Sequence, residues 1–241
     1  MARLAYHETL GVLGVGDLHP GGARASAFLL DQLAKERPRL VLEVGAGIGR
    51  TTDRMRGRGW QVVSLEPNPV LRRKFGEEHA TGAREEALEA FADARGRFDA
   101  AIAESVLYDM SLPAAFERIR DLLRPQGVLA LVDLVWTSKA TPVAAARIHD
   151  DSRATYGLAM ASRERLTWVD WQAGLTRAGF VAVVQERLEP NTRAFQRVGL
   201  GAALRHPRAF AAFLRYRLLT EPVAVPEGWL ESWMAVWRRL P

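Results

Sequence analysis

The chain has 241 residues, 48% of them hydrophobic and 25% charged, with a net charge of +5. That length and balance suit one or two globular domains and exclude a long disordered chain. Cysteine is absent, which closes off disulfide frameworks, thiolate metal sites and cysteine nucleophiles.

The positive charge is concentrated at one end. From Arg187 to Pro241 there are nine arginines against four glutamates, leaving the first 186 residues neutral. Such a tail could attract nucleic acid, a membrane surface or an acidic substrate, but solvated faces of terminal helices explain it more simply. The longest apolar runs, such as Val128–Val132 and Ala209–Leu214, are far shorter than the roughly 20 residues that span a bilayer. The opening MARLAYHETLGVLGVG lacks the apolar core of a secretory leader. A soluble, cytoplasmic protein with no membrane partner is expected.

Residues 1–38 read as a helical segment after a glycine-rich start. A turn at His19–Gly22 precedes Ala23, Ala27, Leu30 and Ala34, apolar at helical spacing. From Leu40 strands and helices alternate: LVLEV, a helix from about Gly49, QVVSLE, the helix PNPVLRRKFGEEHA, FDAAIAES, the helix SLPAAFERIRDLLRPQG and the strand GVLALVDLVW. A mainly helical insertion spans 137–167. The helix WVDWQAGLTRAG and the strand FVAVVQER follow, and TRAFQRVGL reads as a last, antiparallel strand. Helices over about 201–219 and 227–239 form a C-terminal helical extension, residues 201–241. Trp229, Trp233 and Trp237 recur every four residues, one helical stripe that would dock on the core or on a homodimer partner. The whole reads as an α/β domain over 39–200, doubly wound around a mostly parallel, seven-stranded sheet.

VLEVGAGIGRTT carries the chemistry. A buried strand runs into Gly45, Gly47 and Gly49, where backbone must turn tightly and leave room for a ligand. The helix that follows offers its first amides to an anionic group. Glu66, at the end of the second strand, is placed to accept hydrogen bonds from both hydroxyls of a ribose. The third glycine falls four residues after the first, not five as in the usual dinucleotide fingerprint.

With Glu43 two residues before the first glycine, EVGAGIG resembles the first motif of the class I S-adenosylmethionine-dependent methyltransferases. Glu66, Glu104-Ser105 after FDAAIA, LRPQGVLALVDLV and Ala178-Gly179-Phe180 match further landmarks of that family. The resemblance implies a Rossmann-like methyltransferase fold with S-adenosyl-L-methionine as cofactor. By that resemblance Gly45, Ala46, Gly47, Gly49 and Thr51 lie along the methionine part, with Glu43 on its ammonium side. Glu66 and Pro67 hold the ribose, and Glu104, Ser105 and His19 of DLHPGG line the cofactor entrance. The family's Gly-Asp is missing after Gly82, so Ala83 and Arg84 serve the adenine pocket through backbone, or Glu85 replaces the acid.

Tyr108, Asp109 and His149 are the candidates for a general base, with Asp133 on the next strand. The aromatic residues Trp136, Tyr156, Trp168 and Trp171 pack a core or line an acceptor pocket beneath the 137–167 insertion acting as a lid. No metal site is expected. The leading reading is methyl transfer to a small molecule, ahead of RNA or other nucleic acid. A non-catalytic cofactor-binding module or a nucleotide-dependent reductase remains as an alternative of another class.

Overall fold

The computed structural model describes residues 4–79, 82–189 and 200–241. Among them are six strands: β1 (Leu40–Val44), β2 (Gln61–Leu65), β3 (Phe98–Glu104), β4 (Leu123–Trp136), β5 (Phe180–Leu188) and β6 (Leu230–Arg239). They form one sheet in the order β2-β1-β3-β4-β6-β5. Strands β2, β1, β3 and β4 run parallel, and β6 lies antiparallel to both neighbours. A parallel bridge between Leu65 and Arg84 stands at the outer edge of β2.

Helices α1 (Tyr6–Val12) and α2 (Gly22–Lys35) precede β1, and α3 (Arg50–Arg56), α4 (Pro69–Glu78) and α5 (Leu112–Leu122) connect the parallel strands. Next come α6 (Pro142–Tyr156) within the insertion, α7 (Trp168–Arg177), α8 (Leu200–Arg205) and α9 (Pro207–Leu219). Asn68 caps α4 by accepting from the amides of Val70 and Leu71, with Pro69 in the first turn.

Alternation along each strand splits the core into two layers. Leu42, Val44, Ala101, Ala103, Leu129 and Leu131 face Phe116 of α5 and Trp171 of α7. Val41, Ala100, Ile102, Val128, Ala130 and Val132 face Leu29, Leu30 and Leu33 of α2. Both faces of the central strands are therefore dry, as a covered parallel sheet requires.

The end of the chain departs from expectation. Residues 230–239 are not a helix of a C-terminal extension but a strand between β4 and β5. A spacing of four also fits a strand, because it is twice the strand's period of two. Trp233 and Trp237 accordingly share the face that holds Ala235, and Trp233 stacks on Trp168 with centroids 5.0 Å apart and planes at 4°. Trp229 precedes the strand and packs with Trp136 in a separate cluster. The stripe thus belongs to the core of the sheet, which removes the ground for a homodimer contact there. The helix expected over about 201–219 is present as α8 and α9, while TRAFQRVGL lies outside the described residues up to Leu200. No helix among the described residues is long and apolar enough to cross a membrane.

Candidate active site

The glycine loop sits at the carboxyl end of β1, the sheet edge where ligands of open α/β folds gather. The amides of Gly45 and Ala46 both donate to the Leu65 carbonyl at 2.9 Å, tying the loop to β2. Gly47 donates to Glu66 Oε2 at 2.7 Å and Asn68 donates to Oε1 at 2.8 Å. A carboxylate has about four acceptor positions, so Glu66 keeps capacity for two further donors. Burial raises its pKa above the ordinary carboxylate value, opposed by those two amides.

A cavity of about 230 Å³ opens beside the loop. Gly45, Ala46, Gly47, Glu43, Thr51, Glu66, Glu104, Ser105 and His19 all line it, so the structure brings together nine of the residues expected around the cofactor. At Gly47, φ is +58° and an added Cβ would meet nothing within 4 Å. Space therefore stands open beside Gly47 in the cavity wall, which fits the close approach of a cofactor. Gly49 behaves differently. Its added Cβ would lie 2.0 Å from His79 Nε2, and it is absent from the cavity lining.

The two remaining acids do different jobs. Glu43 is buried, and its Oε2 accepts from the hydroxyls of Thr52 and Ser64, the latter at 2.7 Å. It joins β1, α3 and β2, and burial pushes its pKa up to about 7 despite those hydroxyls. Glu104 accepts from Ser26 at 2.7 Å and from Thr51 at 2.6 Å, with His19 Nε2 at 3.5 Å. Ser26, on the buried face of α2, carries no motif that would single it out in sequence.

Ser105 has a φ of 52°, and its buried Oγ has no hydrogen-bond partner. Backbone strain and unsatisfied polar atoms are features that concentrate at functional positions.

A second cavity, about 600 Å³, adjoins the first. The two share His7, Leu18, Ser105, Tyr108 and Leu158. Of the three proposed bases, Tyr108 stands at this junction. Asp109 turns outward to an ion pair with Arg153 at 2.6 Å, and buried His149 bonds the Ala161 carbonyl at 2.9 Å. Neither belongs to either cavity lining. Burial raises the pKa of Tyr108, helped by the neighbouring carboxyls of Asp133 and Asp109. Buried Asp133 accepts from the Leu134 amide at 2.9 Å, while its Oδ2 has no partner. Burial lifts its pKa to about 8, only partly offset by amides of Leu134, Tyr108 and Leu107.

Pro67 lends its carbonyl to Arg72, and Arg84 bonds its backbone to Ser64 and Glu66. Pro67, Ala83, Arg84 and Glu85 line neither cavity. Trp136, Trp168 and Trp171 are core residues, whereas Tyr156 lines the larger cavity.

Sequence reasoning missed the α1 side of the site. His7 Nε2 lies 3.2 Å from Asn68 Nδ2, which also donates to Glu8 at 3.0 Å. Arg50 donates to the Gly14 carbonyl, and Arg54 pairs with both oxygens of Asp17. These ties hold the N-terminal segment across the cleft. No group of three or more His, Asp or Glu among the described residues could hold a metal ion.

A model of the methyltransferase domain matches residues 21–187. An uncharacterized methyltransferase of Bacillus subtilis is 24% identical over 196 residues, covering 79% of this chain and 81% of that protein. A putative sarcosine dimethylglycine methyltransferase from Galdieria sulphuraria superposes with a TM-score of 0.69, at 15% identity and 96% coverage of both chains. Geranyl diphosphate C-methyltransferase from Streptomyces coelicolor superposes with a TM-score of 0.65 at 14% identity, covering 91% of this chain and 79% of that one. With the domain model spanning more than half the chain, and with loop, acid and strand order in register, this protein belongs to the class I S-adenosylmethionine-dependent methyltransferases.

Proposed function

We propose that this methyltransferase acts on a small-molecule acceptor held in the 600 Å³ cavity, with the cofactor in the glycine-loop cleft. The observation that carries this reading is the shared wall at Ser105 and Tyr108, through which the two cavities meet. A cavity of that size suits a drug-sized molecule. The bound cofactor supplies an electrophilic methyl group on a positively charged sulfur.

The chain's own residues then align and shield. Glu66, held by the Gly47 amide, fixes the ribose end, and Glu104, held by Ser26 and Thr51, presents a carboxylate to the cationic end. Holding two reactants in line replaces much of the entropic cost of their meeting. Tyr108 donates a hydrogen bond that orients the acceptor. His7, in both cavity walls, is the candidate for taking up a proton if the acceptor atom carries one.

The test is transfer of radiolabelled methyl from S-adenosylmethionine into metabolite extracts and, separately, total RNA. Label in a small organic product supports the reading. Label in RNA alone would overturn it.

A further inference from the structure

The larger cavity has an unusual wall. The chain contains four tyrosines, and all four, Tyr6, Tyr108, Tyr156 and Tyr216, line it. They come from α1, the turn after β3, the end of α6 and α9. Tyr6 packs on Tyr156 and Tyr216 with centroids 5.7 and 5.2 Å away. Two hydroxyls are held by backbone, Tyr216 donating to the Leu4 carbonyl at 3.2 Å and Tyr156 accepting from the Val223 amide at 3.1 Å. The rings are thereby fixed, and much of the remaining wall is aliphatic, from Leu10, Leu18, Leu134, Leu158 and Met160.

Ringed aromatic sites also suit cations, and the charges decide between the two. Among the described residues no Asp or Glu lines this cavity, whereas Arg217, an exposed residue of α9, does. Arg217 stands close enough to Tyr6 for its charge to oppose the rise that burial gives the Tyr6 hydroxyl. The adjoining cleft is mainly acidic, lined by Asp17, Glu43, Glu66 and Glu104 against Arg50. An acceptor with a negative group is repelled from the cleft and drawn to the Arg217 wall. Arg217 lines the larger cavity and not the cleft, away from the shared wall at Ser105 and Tyr108.

We propose that the cavity takes an apolar or aromatic acceptor bearing an anionic group, and that Arg217 selects that group and turns the opposite end toward the cofactor. This rests on the small-molecule reading above and names its substrate class. The guanidinium, always charged and able to make paired hydrogen bonds, suits a carboxylate, sulfonate or phosphate.

Two dyes with the same anilinonaphthalene body test it: 8-anilino-1-naphthalenesulfonate, and the uncharged N-phenyl-1-naphthylamine. Both are titrated by fluorescence into the full chain saturated with S-adenosylhomocysteine. One site per chain is expected, with the sulfonate at least about tenfold tighter. Arg217→Gln should bring the two affinities level, and Arg217→Lys should keep part of the preference. Thr220→Trp, which narrows the cavity wall, should weaken both dyes. Equal affinities in the parent, an unchanged preference in Arg217→Gln, or dye binding indifferent to Thr220→Trp would each overturn the proposal. Calorimetry with S-adenosylhomocysteine separates the two levels. Normal binding in the parent and variants leaves the cofactor site standing whatever the dyes do, and no binding in the parent would instead defeat the small-molecule methyl-transfer reading.

Discussion

Gly47 and Gly49 lie two residues apart in one loop and should fail in opposite ways when replaced by alanine. Both have positive φ, +58° and +89°, so each alanine carries a backbone cost of about 1–2 kcal/mol. At Gly47 nothing else is added, because the new Cβ meets no protein atom within 4 Å. For a chain of this size that cost lowers Tm by about 2–8 °C. The methyl group does enter the cleft, however, and blocks the close approach that the loop allows. S-adenosylhomocysteine should bind at least tenfold more weakly, a loss of about 1.4 kcal/mol or more. At Gly49 the Cβ would overlap His79 Nε2 and lie 2.9 Å from Phe75. His79 cannot swing away cheaply, since Asp53 lies 3.3 Å from Nδ1 and the Ile48 carbonyl 3.3 Å from Nε2, with Phe75 edge-on at 4.3 Å. Overpacking of this kind adds about 1–3 kcal/mol to the backbone cost. Gly49→Ala should therefore lose roughly 2–5 kcal/mol of stability, while its folded fraction binds the cofactor product with less loss than Gly47→Ala. Thermal melts and isothermal titration calorimetry on both variants measure the crossing. Parent-like affinity in Gly47→Ala, or the same ratio of binding loss to stability loss in both, would refute the assignment of one glycine to ligand and the other to packing.

Glu66→Gln should stay folded, yet weaken S-adenosylhomocysteine binding about ten- to a hundredfold, because a charged acceptor is lost and one amide then faces an NH₂ group; unchanged affinity by calorimetry would remove Glu66 from the site. Asp133 is an acid whose pKa rises from 3.8 unfolded to about 8 folded, so the folded state binds the extra proton, and the contribution present below pH 4 is lost as pH rises toward 8. The Tm of Asp133→Asn relative to the parent should accordingly climb by several degrees between pH 5 and 9, and a difference independent of pH would count against the buried, protonated carboxyl. Replacing Arg205, Arg208 and Arg215 together with Gln should leave transfer to the small-molecule product within about threefold of the parent. A large loss, with activity falling steeply as salt is added, would indicate phosphate contacts and a nucleic-acid substrate.

What the sequence by itself determined is local. LVLEV, GAGIG and the helix after it occupy consecutive residues, and Glu66 follows at the end of the next strand, so spacing and residue type carried the fold and the meeting of loop and acid at one cleft. The apolar runs in β1, β3 and β4 show a sheet covered on both faces for the same reason. Tertiary structure decided what local windows leave degenerate or separate. Tryptophans at intervals of four satisfy the helical and the strand period alike, and only the space between β4 and β5 made residues 230–239 a strand. Asp109 and His149 have the chemistry of bases, but an outward ion pair and an internal carbonyl claim them. The larger cavity lay furthest from view. Tyr6, Tyr108, Tyr156 and Tyr216 are spread over more than two hundred residues, and they share a wall because helix packing across the open end of the sheet brings α1, α6 and α9 together. No periodicity in the chain records that convergence, since it depends on how loops close in space rather than on neighbours in sequence.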